Sequence, residues 1–311
     1  MTLEELGWKE LARRQSGVVS RDQLRAYGAD RHYVRTQLRA RRWQEVSNTV
    51  LVTTTGPLSY EQRLWVGVVQ AERPAALAGV TALNLAGLRG WERPFITVLV
   101  PKSEDPVRLD GYRFAETRRD IPALTARTAP PRLRVEPAAL LFAAYERSER
   151  TGCGLLAAVV QQRLTTAPRL REQLAALRPL RRAPLFRLLL DDIEGGAHSM
   201  AEVDLGRLCD RFGLRPPDRQ APRRDRNGKR RWLDAEWFLP DGRIVVLEVD
   251  GAFHMEVPDW WADMGREREQ VIHGREVLRC SSFELRRLPD QIARDLLAIG
   301  VPTRRPDERG A

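Results

Sequence analysis

Apolar residues recur at helical spacing near the start of the chain, at Leu3, Leu6 and Leu11. Ser20-Arg-Asp-Gln23 has the form of a capping box, so a second helix is predicted to start there and to stop at Gly28, after Leu24 and Tyr27. Asp30 opens a third, Arg31 to Ala40, with Tyr33, Val34 and Leu38 on its apolar side. Trp43 to Val52 then predicts a short β-hairpin. Ser59 to Gln70 and Pro74 to Leu88 read as helices, Phe95 to Pro101 and Gly111 to Thr117 as strands, and Val135 to Tyr145 as a buried helix. Leu155 to Leu190 is helical with breaks near Pro168, Pro179 and Pro184. Beyond Gly195-Gly196, Ser199 is expected to cap a helix carrying Glu202, Leu205, Leu208 and Cys209 near one face. The strands Arg230 to Trp237 and Ile244 to Asp250 follow, then a helix Asp259 to His273 stopped by Gly274. A strand Glu276 to Cys280, a final helix from Ser281 through Leu296 and a frayed tail over 302–311 complete the prediction.

This order predicts an α/β multidomain chain, in keeping with a length of 311 residues, enough for two or three domains. The expected divisions are a winged helix-turn-helix domain over 1–55, a mixed α/β connector over 56–190 and an α/β domain over 195–300. An apolar fraction of 42% with 30% charged residues describes a soluble globular protein. No run of about 18 apolar residues suggests a membrane span, and no charged-then-apolar leader suggests secretion. Cys153, Cys209 and Cys280 are odd in number and widely spaced, which fits buried thiols in a reducing cytoplasm.

The net charge of +10 and pI near 10.3 point to a polyanionic partner, most simply DNA. An arginine-rich composition inherited from a GC-rich genome gives the same charge, so position has to carry the argument. On the third helix Arg31, Arg35 and Arg39 form one stripe, continued by Arg41 and Arg42. A stripe of this kind after a tight turn suits a major groove, or is a solvated basic face. A second basic stretch, Arg215 to Arg231, includes Arg223, Arg224, Lys229, Arg230 and Arg231 and is interrupted by Pro216, Pro217, Pro222 and Gly228. It reads as a loop-like arm for phosphate contacts, or as a solvated hairpin.

Two apolar strands that each carry a carboxylate need a reason, because an unpaired buried charge is costly. A divalent cation is one, since hard oxygen ligands gathered on a sheet face suit Mg²⁺ or Mn²⁺. Glu248 and Asp250 share a strand face. With Pro240-Asp241-Gly242 as a three-residue loop and Gly242 left-handed, Leu239 pairs with Arg243 and Asp234 falls opposite Glu248. A two-residue loop would move Asp234 to the other face. Glu202 either aims at the same metal from its helix or is a helix-start charge.

These residues resemble a known pattern. Glu202, Asp234, Glu248-Val-Asp250-Gly-Ala-Phe-His254, a charged helix and Glu276-Val-Leu-Arg-Cys280 are similar to the PD-(D/E)XK nuclease superfamily, nearest its branch related to very-short-patch mismatch-repair endonucleases. The resemblance covers about the last third of the chain. It implies a restriction-endonuclease-like core and Mg²⁺-dependent phosphodiester hydrolysis, with Asp234, Glu248 and Glu202 on the metal. The superfamily's lysine position holds Asp250, so Asp250 or His254 would act on the water. The N-terminal stretch Gly17-Val18-Val19-Ser20 with Arg31 to Arg42, and Thr81-Ala-Leu-Asn-Leu-Ala-Gly-Leu88, resemble AbiEi-type antitoxins. That likeness implies a DNA-binding regulator with a cognate toxin as partner. A chain that keeps the nuclease fold without activity is the alternative reading.

Overall fold

A computed structural model describes residues 3–72, 74–103, 108–194, 197–224, 230–250, 270–272 and 275–304. Among them the chain is mixed α/β, with thirteen helices and three sheets, and no helix is long and apolar enough to cross a membrane. It divides into two compact units, residues 1–142 and 143–311.

The first unit opens with α1 (Leu3–Arg14), β1 (Val18–Ser20), α2 (Arg21–Ala26), α3 (Arg31–Arg39), β2 (Gln44–Glu45) and β3 (Val50–Val52). The three strands form an antiparallel sheet in the order β1-β3-β2. Local chemistry sets both helix starts. Ser20 Oγ accepts from Gln23 N at 3.0 Å and Gln23 Oε1 accepts from Ser20 N at 2.9 Å, closing the expected capping box. Asp30 Oδ1 accepts from Tyr33 N at 2.7 Å. The core of this layer is a triangle of edge-on rings: Trp8 to Trp43 at 5.2 Å, Tyr33 to Trp43 at 5.8 Å and Trp8 to Tyr33 at 6.0 Å between centroids. Trp8 and Ala12 fill the place that the leucine spacing assigned to Leu11, which is only half-buried.

Helix α4 (Tyr60–Gln70), started by its own Ser59/Gln62 capping box, joins two layers. Its Trp65, Val66 and Val69 pack on Val18, Val50 and Val52 of the small sheet, so that sheet is covered on both faces. Its Leu64 packs with Leu77, Ile96 and Val98 of a second, five-stranded sheet. Gly67 permits that approach: a Cβ there would lie 2.9 Å from both Tyr112 Cδ1 and Val98 Cγ2. The second sheet runs in the order β6-β5-β4-β8-β7. Its strands are β4 (Ala76–Leu77), β5 (Ile96–Pro101), β6 (Tyr112–Thr117), β7 (Thr125–Ala126) and β8 (Arg132–Leu133). Helices α5 (Gly79–Leu85), α6 (Ile121–Leu124) and α7 (Val135–Tyr145) belong to the same stretch of chain. The helix expected from Pro74 is therefore a short strand followed by α5, because Ala76 and Leu77 pair with Leu99 and Val98.

The second unit begins with α8 (Glu149–Gln161), α9 (Ala167–Ala176) and α10 (Ala183–Ile193), the helical breaks falling as expected at the prolines. Helix α11 (Ala197–Phe212) starts before Ser199, which lies inside it rather than capping it. A five-stranded sheet follows in the order β12-β13-β11-β10-β9, from β9 (Arg219–Arg224), β10 (Arg230–Phe238), β11 (Ile244–Asp250), β12 (Gln270–Ile272) and β13 (Arg275–Ser281). Strands β11 and β13 are parallel and the other pairs antiparallel. Helices α12 (Ser282–Arg287) and α13 (Pro289–Ile299) close the unit. Pro289 splits the single final helix that the sequence predicts, since its ring cannot continue one.

One face of this sheet is the core. Ala235, Trp237, Val245, Leu247, Val249, Leu278 and Cys280 pack with Leu205, Leu208 and Cys209 of α11 and with Leu285, Ile292 and Leu296. Two further expectations are corrected here, and for the basic stretch the hairpin alternative holds in part. The arm is in part an edge strand, with 219–224 paired to β10. Residues 270–272, the end of the expected helix, pair with β13, as suits the β-branched Val271 and Ile272. Residues 302–304 are tied down, not frayed: Arg215 N donates to Pro302 O at 2.8 Å and Arg304 N to Gly213 O at 2.7 Å.

The turn between β10 and β11 has the expected chemistry. Leu239 N donates to Arg243 O at 2.9 Å, Gly242 N to Leu239 O at 3.0 Å, and Gly242 sits at φ +84°. Replacing Gly242 with Ala forces a Cβ into the left-handed region and should lower stability by about 1 kcal/mol. Urea unfolding of the variant against the parent checks this, and an unchanged midpoint would show that the turn carries no such constraint.

Candidate functional site

The turn fixes the pairing Phe238↔Ile244, and through it Asp234↔Glu248. On β13 the partner of Glu248 is Arg279, and that of Asp250 is Ser281. On β9 the partner of Asp234 is Ala221. Positions 221, 234, 248 and 279 thus form one row across four strands. The row lies on the face opposite Ala235, Leu247 and Leu278, because neighbouring residues along a strand alternate in facing. The carboxylate expected to be buried is accordingly on the face away from that core, where the Glu248 side chain is 23% exposed. The fold answers the cost of a buried charge first by placing the charge away from the core.

A second answer is an ion pair. Arg279 Nε donates to Glu248 Oε2 at 2.7 Å from the adjacent parallel strand, with the Arg279 side chain 60% exposed. The sequence contained this residue inside Val277-Leu-Arg279-Cys280, but no spacing rule marks it as a partner of Glu248. The parallel register of β11 and β13 is what brings them together.

The other expected ligands are placed only in part. Asp234 and Asp250 are set by backbone register, and their side chains lie outside the described residues, as does that of Glu202. Glu202 belongs to α11, whose Leu205, Leu208 and Cys209 pack on the core face, the layer opposite the row. His254 and Lys229 lie outside the described residues altogether. Among the described residues no group of three or more His, Cys, Asp or Glu gathers to hold a metal. What register does provide is a hard-oxygen donor set, carboxylate residues at 234, 248 and 250 on one pair of strands, of the type that suits Mg²⁺ or Mn²⁺.

The sheet edge beside this row is firmly built. Trp237 Nε1 donates to Arg215 O at 2.8 Å, Phe238 N donates to Asp218 Oδ2 at 2.8 Å, and Arg215 Nη2 donates to Phe238 O at 2.9 Å. These bonds hold the start of the basic stretch against β10. Farther along, Arg223 pairs in register with Arg231 and Arg224 with Arg230, after a bulge between Arg231 and Leu233. Four arginines of the expected arm therefore stand in two cross-strand pairs.

No family model matches the chain, and no curated protein matches it. The site therefore has to be read from its own geometry.

In the first unit the α3 stripe is exposed along its length at Arg31, Arg35 and Arg39, while Val34 is buried beneath it. Arg42 is exposed too and donates from Nε to Gln37 Oε1 at 2.7 Å. Arg31 and Arg35 face Arg21 and Arg25 of α2 across a groove of about 390 Å³ that also contains Asp30. Arg21 and Arg25 are engaged, with Glu45 and Asp22 respectively, each at 3.1 Å.

The Arg279–Glu248 contact is partly exposed, so its contribution should be modest. A double-mutant cycle with Arg279→Ala and Glu248→Gln, read by urea unfolding, is expected to give a coupling of roughly 0.5–1 kcal/mol that shrinks at high salt. Zero coupling at low salt would mean that the pair does not persist in solution.

Proposed function

We propose that the chain is a metal-dependent DNA endonuclease that hydrolyses phosphodiesters, with an N-terminal winged helix that brings it to DNA. The observation that carries the enzyme half is the register that sets Asp234 opposite Glu248 on the sheet face turned from the core. Supporting the DNA half are the order α1-β1-α2-α3-β2-β3 with sheet order β1-β3-β2, and the exposed arginines of α3. The sheet of the second unit, backed on one face by α11 and with a parallel pair beside its central hairpin, suits a restriction-endonuclease-like core.

In this reading Asp234 and Glu248 would hold Mg²⁺ or Mn²⁺, and Glu202, whose helix packs on the opposite layer, is left out of the set. The ion, when bound, neutralises charge on the phosphate and lowers the pKa of a water. Asp250 or His254 orients that water and takes its proton. The oxygen of that water would attack phosphorus, the phosphorus–oxygen bond to the leaving sugar would break, and the leaving oxygen would take up a proton from solvent. The cross-strand arginines at 223, 224, 230 and 231, with Lys229, hold the flanking phosphates without reading sequence.

One observation favours a second reading. Arg279 already supplies Glu248 with a positive partner at 2.7 Å, so this carboxylate does not depend on a metal to be held. A chain of that kind is a DNA-binding regulator of the antitoxin class, keeping a degenerate nuclease fold and pairing with a cognate toxin. A cytoplasmic location suits either reading, given three free, buried cysteines of which burial pushes the Cys153 thiol up to about 12.

One measurement decides between these readings, and a second tests the DNA-binding half that both share. Supercoiled plasmid incubated with the chain and Mg²⁺ or Mn²⁺ should be nicked, and Asp234→Ala should abolish the nicking while leaving duplex binding intact. Binding without any nicking across several DNA forms would hand the case to the regulator. Separately, replacing Arg31, Arg35 and Arg39 with Ala should weaken duplex binding and reduce the slope of log affinity against log salt by roughly 2 to 3, with folding unchanged. An unaltered slope would remove α3 from the DNA interface.

A further inference from the structure

The first unit contains a cavity of about 540 Å³ that the nuclease reading does not use. Its volume lies within the roughly 300–1,000 Å³ common for small-molecule sites. We propose that it binds a nucleotide, an aromatic base carrying a phosphate, through Tyr60, Arg63, Arg93 and Asp110.

The lining has two characters. Apolar side chains form one part, of which Val80 and Ile96 are buried and Val46, Leu58, Phe95 and Leu109 half-buried. Polar groups of that wall are largely satisfied: Thr81 Oγ1 accepts from Thr97 N at 3.0 Å, and the Tyr112 hydroxyl donates to Arg63 O at 2.8 Å. The other part is exposed and charged, with two guanidiniums, Arg63 and Arg93, against one carboxylate, Asp110. Among the described residues Arg63 makes no ion pair. Its guanidinium lies over the Tyr60 ring, 5.5 Å from the centroid, and Tyr60 as a residue is 49% exposed. An apolar wall beside an exposed aromatic residue calls for a flat ring, and the guanidinium of Arg63 calls for an anion attached to it. Asp110 adds an acceptor that a sugar hydroxyl or a ring amino group satisfies. Asn84 adds a second. Its Nδ2 donates to Trp91 O at 2.9 Å, whereas its buried Oδ1 has no donor among the described residues. An acceptor left in that state is costly, and a ring amino group supplies a donor once the side chain turns toward it. A nucleotide combines all of these features, and it could come from the free pool or from a single strand.

Calorimetry on the full chain at physiological ionic strength, with AMP, adenosine and the tetranucleotide d(A)4, tests this. AMP should bind and adenosine should bind more weakly. Tyr60→Ala and Arg63→Ala should each weaken AMP binding by about fivefold or more, while Tyr60→Phe keeps it. Both positions are exposed, and circular dichroism verifies that the variants fold. A tetranucleotide that binds more than tenfold tighter than AMP, and is weakened by Tyr60→Ala, identifies single strands as the ligand. Equal or weaker binding identifies the free nucleotide. Absence of binding by both AMP and d(A)4, or binding indifferent to Tyr60→Ala and Arg63→Ala, overturns the proposal. Plasmid nicking through Asp234 is read separately, so the two readings fail independently.

Discussion

Two hydrogen bonds across Pro240–Gly242 govern the second unit. They give the hairpin its odd-numbered loop, and parity does the rest: Trp237 and Leu247 go to the core while Glu236 and Glu248 go to the opposite face. A loop shorter by one residue would carry a carboxylate into a layer of leucine and tryptophan. The turn is also braced from outside. Arg243 donates to Asp241 and to Glu276 of β13, both at 2.7 Å, and to Ile299 O at 3.2 Å at the end of α13. Its guanidinium holds the Asp241 carboxyl below the usual carboxylate range. One arginine thus links the loop, the neighbouring strand and the last helix.

The first unit rests on a different device. Its three-stranded sheet is too small to make a core alone, with strands of two or three residues. It is stable because both faces are used, Val19 and Leu51 toward the aromatic triangle and Val18, Val50 and Val52 toward α4. Burial of every residue of β1 follows from that, and it removes the alternation by which a half-buried strand is recognised.

Local rules made the helix starts legible: Ser20 with Gln23, Ser59 with Gln62 and Asp30 are complete within four residues of sequence. The hairpin register was legible because Gly242 admits only certain turns. Elements stabilised by distant partners were not. Strands β4, β7 and β8 are two residues each, shorter than any period. Strand β9 has polar, proline-containing sequence and owes its form to β10. The same holds at the candidate site: Asp234 and Glu248 followed from strand parity, but Arg279 depends on a parallel crossover that nothing in its own neighbourhood encodes.

Strand β9 ends the sheet, and its composition bears on how the molecule keeps to itself. An edge strand offers a row of open backbone groups that another copy's edge can join. Here that edge carries Arg219, Arg223 and Arg224, with Pro222 taking away one backbone donor. A second β9 brought alongside would set arginine against arginine and find no donor at the proline. The composition of this edge strand therefore discourages edge-to-edge growth between copies of the chain.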